Sequence, residues 1–123
     1  MAAAPSKPLK FTRAMHIKQG RDFSRLRQEG QRMVTGCLIA NWRRLPCGST
    51  MRLGVITSGK IGNAVVRSRA RRLLREVFRI HQHDFAEPVD MILIARASIT
   101  DKGLAGVEKD FLTTLRKAGL LKQ

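Results

Sequence analysis

Apolar side chains recur at helical spacing through the middle of the chain. Between residues 63 and 79 they return every three or four positions, at Val66, Ala70, Leu73, Leu74 and Val77. Asn63 is a favoured N-cap residue, and Gly62 directly before it lets the backbone turn. The pattern therefore predicts a helix that begins after Asn63 and buries one of its faces.

Three other stretches have the pattern of strands. Residues 33–42 are rich in strand-forming residues, although Gly36 weakens the pattern. Residues 51–58 alternate between two faces, and residues 89–95 are almost continuously apolar, as in a strand covered on both sides. The loop at 43–50 contains the proline and glycine typical of turns, so it is predicted to be a hairpin connection.

Two further helices complete the prediction. Residues 21–29 form a short helix that Gly30 ends, and the last helix begins near Asp101, a good N-cap residue, and stops at Gly119. The element order is then α-β-β-α-β-α. Because a strand, a helix and a strand follow one another in the middle, we expect a parallel strand pair covered by helices, in an α/β or α+β fold.

The length and the composition of the ends predict one domain with two short tails. A chain of 123 residues is of ordinary single-domain size. Residues 1–12 are small and basic, so we expect a flexible N-terminal tail, a domain at 13–119 and a C-terminal tail at 120–123. The first residues lack the apolar centre of a secretory signal.

The charge balance indicates a domain that binds a polyanion rather than an ordinary small domain. The chain has 24 basic and 9 acidic residues, which gives a formal net charge of +15. Such an excess of positive charge is typical of proteins that bind nucleic acid or, less often, an anionic membrane surface.

The arginines of the predicted middle helix lie away from its apolar face. At about 100° per residue, one row contains Arg67, Arg71, Arg75 and Arg79. Arg72 lies beside this row, Arg69 lies nearer its border, and the single acid, Glu76, is expected to pair with Arg72. Because like charges at this spacing repel one another, the row indicates a polyanionic partner.

Other classes of function find little support in the sequence. No apolar run approaches the roughly 18 residues of a membrane span. Cys37 and Cys47 lack metal-site spacing, so we expect reduced cysteines that serve as small apolar filler. His81 and His83 are expected to be exposed and not to bind metal. No nucleophile stands in a recognisable arrangement with a base, so we expect no catalytic residue and no metal site in this chain.

The glycines before the middle helix fit two phosphate-binding motifs incompletely. Gly54 to Lys60 matches most of a P-loop, but Ile61 occupies the position that needs a hydroxyl, and Gly54 falls inside a strand pattern. Gly59 to Gly62 resembles the clamp of KH domains, which joins two helices, whereas here a strand comes first. We interpret the loop as a set of backbone N–H groups that lead into a helix, an arrangement that favours phosphate binding.

The segment KIGNAVVRSRARRLLREVFR, from Lys60 to Arg79, resembles the signature of the bacterial ribonuclease P protein subunit, roughly K-x-G-x-A-V-x-R-N-R-x-K-R-x-x-R-E. Arg21–Phe23 with Gly30, the segment from Arg52 to Lys60, and Ile94–Arg96 fall in the order and at the spacing of the family. The resemblance covers about residues 9–118.

The resemblance implies a ribosomal protein S5 domain 2-like, two-layer α/β sandwich with a central mixed sheet and a left-handed β-α-β crossover. Without the resemblance, the general preference of parallel strands for right-handed connections predicts a right-handed crossover. The implied RNA-binding residues are Lys60, Asn63, Arg67, Ser68, Arg69, Arg71, Arg72 and Arg75. A cleft for the precursor-tRNA leader is implied at Phe23, Arg27, Asn41, Lys60, Arg67 and Ser68.

The function implied is that of a partner of a catalytic RNA, which together with it removes the 5′ leader from precursor tRNA. The bond-breaking chemistry and the Mg²⁺ are expected in the RNA subunit. A cytoplasmic location is expected, with no obligate protein partner and no membrane. The alternative is a ribosomal or other structural RNA-binding protein with no role in tRNA processing.

Four positions depart from the pattern of the family. Ser68 replaces the central asparagine, and Gly59 stands where a lysine is common. Arg27 replaces a cleft aromatic residue, and Asn41 replaces a cleft tyrosine. Docking on the RNA is expected to survive these changes. The affinity for the leader is expected to depend on whether stacking or charge provides the contact.

Overall fold

The computed structural model describes residues 9–18 and 20–122. Its strands are β1 (Gln31–Thr35), β2 (Leu38–Arg44), β3 (Arg52–Ile56) and β4 (Val89–Ala95). Its helices are α1 (Gly20–Glu29), α2 (Ala64–Ile80) and α3 (Leu104–Ala118). Short 3-10 helices occur at Arg13–Met15, Gly59–Ile61 and Ala97–Asp101.

The four strands form one mixed sheet in the order β1-β2-β4-β3. β3 and β4 are parallel neighbours joined through α2, which confirms the predicted β-α-β unit. β2 pairs with β4 in antiparallel fashion. The prediction of a hairpin at 43–50 was wrong, because β4 lies between the two strands that this loop joins.

The stretch at 33–42, predicted as a single strand, is a hairpin of two. β1 and β2 pair with Thr35 opposite Leu38, so Gly36 and Cys37 form the turn. Gly36 has a φ of +52°, a backbone conformation that glycine adopts without steric cost. The Cys37 backbone N–H donates to Asp110 Oδ2 at 2.9 Å, which fixes the turn on α3. The observed order is therefore α-β-β-β-α-β-α.

Helices cover both faces of the sheet. Met91 and Leu93 of β4 belong to the main core, which includes apolar residues from α2 and α3. Ile92, between them, packs on the other face with Leu26 of α1 and with Ile17. This confirms that β4 is covered on both sides, and α1 adds a partial third layer to the expected two-layer sandwich.

The start of the last helix differs from the prediction. Ala97–Asp101 is a 3-10 helix, and α3 begins at Leu104 after Gly103, so Asp101 ends one element rather than capping the next. The other end agrees with the sequence, because Gly119 adopts a left-handed conformation (φ +72°) at the C-cap.

Both expected tails contribute to the packed domain. Residues 1–8 lie outside the described part of the chain, but the Phe11 ring stacks on His16 with centroids 4.1 Å apart and contacts Phe78. At the other end Leu120 is buried, and the Lys122 N–H donates to the Asp84 carbonyl at 2.6 Å. The packed domain therefore extends beyond 13–119 at both ends.

Candidate nucleic-acid interface

The turn from β3 into α2 is held by caps that the sequence encodes. Asn63 Oδ1 accepts a hydrogen bond from the Val66 N–H at 3.1 Å, as predicted for an N-cap. Ser58 Oγ accepts from the Lys60 N–H at 3.3 Å. Gly62 has a φ of +150°, and a Cβ there would lie 2.9 Å from the Val66 side chain. These constraints fix where α2 begins relative to the sheet.

Three arginines of α2 are oriented by polar groups of the protein. Arg67 Nη1 donates to the Gly62 carbonyl at 3.2 Å. Arg71 donates to Thr57 Oγ1 at 2.8 Å and to Ser68 Oγ at 3.1 Å. Arg69 lies at the border of the face, as predicted, because its Nη2 donates to the Lys102 carbonyl at 2.8 Å. None of these acceptors is charged, so none of them compensates the positive charge of a guanidinium.

Most of the positive charge on α2 has no acidic partner. Glu76 pairs with Arg79, with the Arg79 Nε 3.2 Å from Oε2, so the expected pairing with Arg72 was wrong. Arg79 also donates to the Leu9 carbonyl, which turns it toward the N-terminal segment. In the described part of the chain, the other arginines of α2 form no salt bridge: Arg67, Arg69, Arg71, Arg72 and Arg75. We call these five, together with Lys60, the arginine face.

Burial, and to a smaller extent this positive charge, affects the ionisation of a neighbouring histidine. Burial lowers the pKa of His16, and the positive charges of Arg75 and Lys18 lower it further. His16 is therefore biased toward its neutral form beside the arginine face.

Phe23 lies on the other face of the sheet. A Cβ on Gly54 of β3 would be only 2.7 Å from two atoms of its ring, so the ring lies directly over that glycine. Phe23 is half-buried and packs against the cluster that contains Ile17, Leu26 and Ile92. Its ring both seals this cluster and keeps some exposed surface.

Asn41 has an unsatisfied acceptor next to two arginines. The residue is 3% exposed, and its Nδ2 donates to the Gln31 carbonyl at 2.7 Å. Its Oδ1 has no hydrogen-bond partner in the structure. A cleft of about 240 Å³ is lined by Arg27, Arg32, Asn41 and Ile94. Sequence reasoning missed Arg32, because only the β1–β2 register shows that it lies opposite Asn41.

A network of ion pairs, which was not predicted from the sequence either, connects α1 to the sheet. Asp90 is 3% exposed, and Arg52 contacts its two oxygens at 3.0 and 2.7 Å. Arg52 lies 3.6 Å from Asp22 of α1, and Arg43 lies 3.4 Å from both Asp90 and Glu29. The pairs join residues far apart in sequence, so no local pattern could have indicated them.

The predicted site residues form two groups. Lys60, Asn63, Arg67 and Ser68 lie around the start of α2, whereas Phe23, Arg27 and Asn41 lie on the α1 side of the sheet. The end of β3 connects the groups. Ile56 packs with Phe23 in one cluster, and the next residue, Thr57, accepts from Arg71.

The remaining candidates give no sign of other chemistry. No group of metal-binding side chains was found among the described residues, and none of their helices is long and apolar enough to cross a membrane. His81 is not exposed as expected, because Asp84 and Glu108 hold it at 2.7 and 2.8 Å. Cys37 is buried, and burial with its hydrogen bond to Asp110 raises its thiol pKa to about 12, whereas Cys47 is exposed and does not fill the core.

The mixed sheet and the arginine face together define a small basic α+β protein of the nucleic-acid-binding class. The family described as Ribonuclease P matches residues 11–119, and the chain belongs to this family. It is thus a protein component of the ribonuclease P holoenzyme, which acts in tRNA 5′ processing; the alternative of a ribosomal protein is not favoured.

Known relatives and solved structures agree with this assignment. The ribonuclease P protein component of Syntrophomonas wolfei is 35% identical over 104 residues, covering 85% of this chain and 87% of the relative. That of Gluconacetobacter diazotrophicus is 33% identical, covering 88% and 94%. The RNase P protein of Staphylococcus aureus superposes with a TM-score of 0.75 at 27% identity, covering 89% of this chain and 100% of the other. The Thermotoga maritima protein shares the fold, with a TM-score of 0.72 at 23% identity.

Proposed function

We propose that the arginine face of α2 docks on the RNA subunit of ribonuclease P, and that the cleft beside α1 holds the 5′ leader of precursor tRNA. The observation that carries this proposal is that five of the six arginines of α2 have no acidic partner among the described residues. A helix with so little internal compensation gains stability when phosphates neutralise it.

The chemistry of the face suits phosphate. The guanidinium group is planar, remains charged and can grip two phosphate oxygens at once. Arg67 and Arg71 are held by neutral acceptors at the start of α2, so less side-chain freedom is lost when a phosphate binds. Asn63 and Ser68 flank these guanidiniums at the same end of the helix.

The leader cleft combines the partly exposed ring of Phe23 with positive charge. Phe23 offers a face on which a base can stack, and Arg27 and Arg32 can contact the leader phosphates. Here Asn41 and Arg27 occupy positions where the family resemblance implies aromatic residues. The hold on the leader in this chain therefore depends more on charge and hydrogen bonding than on stacking.

We propose that the bond-breaking group and the Mg²⁺ site lie in the RNA subunit, as the family resemblance implies. Mg²⁺ is a hard ion that requires several oxygen ligands, and the described residues contain no group of three His, Cys, Asp or Glu side chains able to hold a metal. In this proposal the protein assists cleavage by neutralising phosphates of the RNA subunit. From the family resemblance we also propose a left-handed β3-α2-β4 crossover, a cytoplasmic location and no obligate protein partner.

Paired substitutions test the docking face. Arg67→Ala with Arg71→Ala removes two phosphate contacts, so affinity for the catalytic RNA at low salt should fall about tenfold or more. Arg72→Ala with Arg75→Ala should have the same effect. It removes two exposed guanidinium groups that make no side-chain hydrogen bond to the described chain, so folding should be spared.

The matched control is Arg116→Ala with Lys117→Ala, which removes two exposed positive charges from the last turn of α3. Binding is measured by titrating labelled RNA with protein at one salt concentration. Wild-type affinity in both α2 double variants, or an equal loss in the control, would reject the face and leave only non-specific attraction.

A further inference from the structure

A groove that phosphate binding does not explain runs along one flank of the arginine face. It lies between α2 and the start of α3 and measures about 510 Å³. Its lining residues are Arg69, Arg72, Leu73, Glu76 and Leu104. Both arginines of the groove, Arg69 and Arg72, belong to the arginine face, so the groove is continuous with the proposed RNA-docking surface.

The groove exposes apolar surface beside a strongly charged face. Among the described residues, the exposed large hydrophobic side chains are Val34, Val65 and Leu104. Leu104 is 39% exposed, and Val65, at 78%, lies one helical turn before Arg69 on the same flank of α2. Leucine and valine contribute nothing to phosphate binding, so this apolar patch favours an occupant with an apolar surface of its own.

The polar groups of the groove are fixed in place. Arg69 Nη2 donates to the Lys102 carbonyl at 2.8 Å, which ties its guanidinium to the segment entering α3. The hydrogen bonds from Arg79 hold the Glu76 carboxylate and lower its pKa, so it remains ionised. A carboxylate repels a phosphate but accepts hydrogen bonds from an amine.

We propose that this groove binds a single unstacked nucleobase of the RNA subunit. A base has apolar faces for Leu73 and Leu104 and a π-surface on which a guanidinium stacks. Its amine edge can donate to Glu76, while its own phosphate lies toward Arg72. The inference rests on the proposed function, and it adds a base-specific contact to a surface that otherwise contacts only phosphates.

The salt dependence of binding separates this contact from the phosphate contacts. Apolar and stacking contacts release no counterions, so Leu104→Ser should weaken binding to the catalytic RNA about fivefold while the log–log salt slope stays at its wild-type value. Val34→Ser is the matched control, because it removes another exposed aliphatic side chain outside the groove and should leave affinity unchanged.

Chemical probing of the RNA identifies the base. With the wild-type protein, one nucleotide should be shielded from reagents that modify base edges; with Leu104→Ser its base should react while nearby backbone protection remains. Leu104→Phe, which keeps the apolar contact, should retain both affinity and base protection, and unchanged thermal unfolding shows that the variants are folded.

Three results would overturn the nucleobase site: wild-type affinity for Leu104→Ser, a fall in its salt slope, or no base whose reactivity depends on residue 104. If the arginine face does not dock on the RNA, the wild-type protein itself should show a shallow log–log salt slope, so this outcome can be distinguished from failure of the nucleobase site.

Discussion

Gly54 shows how one missing side chain shapes the candidate site. In the sequence this glycine looked like part of an incomplete P-loop, although it lay within a strand pattern. In the structure it lies inside β3, and the Phe23 ring occupies the space that a Cβ would fill. The strand could be predicted because its alternation is local, but the reason for the glycine could not, because Phe23 is 31 residues away.

Substitutions at Phe23 separate its two roles. Phe23→Leu keeps most of the apolar contact with Gly54 and should fold normally, while Phe23→Ala also leaves a cavity. If the leader stacks on the ring, both variants should lower the affinity of the holoenzyme for precursor tRNA, by about fivefold or more. Mature tRNA, which lacks the leader, is the control and should bind as before. Equal losses for both RNAs would make Phe23 a purely structural residue.

For α2, the N-cap was predicted better than the pairing of its side chains. Asn63 caps α2 as predicted, because a cap depends on three or four consecutive residues. Glu76 was expected to pair with Arg72, one turn earlier, yet it pairs with Arg79. Arg79 is turned that way in part by the Leu9 carbonyl, a contact across 70 residues that no sequence pattern indicates.

At the scale of the elements, those with strong local signals were predicted closely. α2 begins directly after its predicted N-cap, and β4 has the predicted bounds. The β1–β2 hairpin was missed because Gly36 was interpreted as a weak point in one strand rather than as a turn with positive φ. The order of strands was also beyond prediction, since β2 pairs with β4 rather than with its sequence neighbour β3.

The contact between the end of α2 and α3 should make stability depend on pH. Burial alone lowers the pKa of His81, but hydrogen bonds from its ring to Asp84 and Glu108 outweigh burial and raise it. Because the folded-state pKa exceeds the unfolded value, the stabilisation is present at low pH and is lost as pH rises through the folded pKa. His81→Gln should therefore reduce the free energy of unfolding by roughly 0.5–1 kcal/mol more at about pH 6 than at about pH 8.5.

Chemical denaturation at the two pH values measures this difference. Glu108→Gln removes one of the two carboxylates and should abolish part of the same pH dependence while His81 remains. If His81→Gln had the same effect at both pH values, the histidine would act through packing alone.

On the scale of the whole molecule, the charges are divided between two tasks. The acids Asp22, Glu29 and Asp90 are used with Arg43 and Arg52 to hold α1 on the sheet. This leaves the arginine face uncompensated, so most of the excess positive charge on α2 is available to a partner. Composition alone predicted the excess, but only the fold shows which arginines remain free of acidic partners.

The salt dependence of RNA binding tests whether the face or the whole charge of +15 drives association. The arginine face contains six cations, and each neutralised phosphate contributes roughly 0.7–0.9 to the log–log slope, so the wild-type slope should be about −4 to −5. If the whole charge were engaged, the slope would be roughly −10 or steeper.

Affinity for the catalytic RNA measured between about 50 and 200 mM salt gives the slope. Arg72→Ala with Arg75→Ala should make it shallower by about 1.5 because two phosphates are no longer neutralised, whereas Arg116→Ala with Lys117→Ala should leave it unchanged. A wild-type slope near −1 would show that the arginines are not engaged together. Equal changes in both variants would show that the RNA responds to net charge and does not recognise one face of α2.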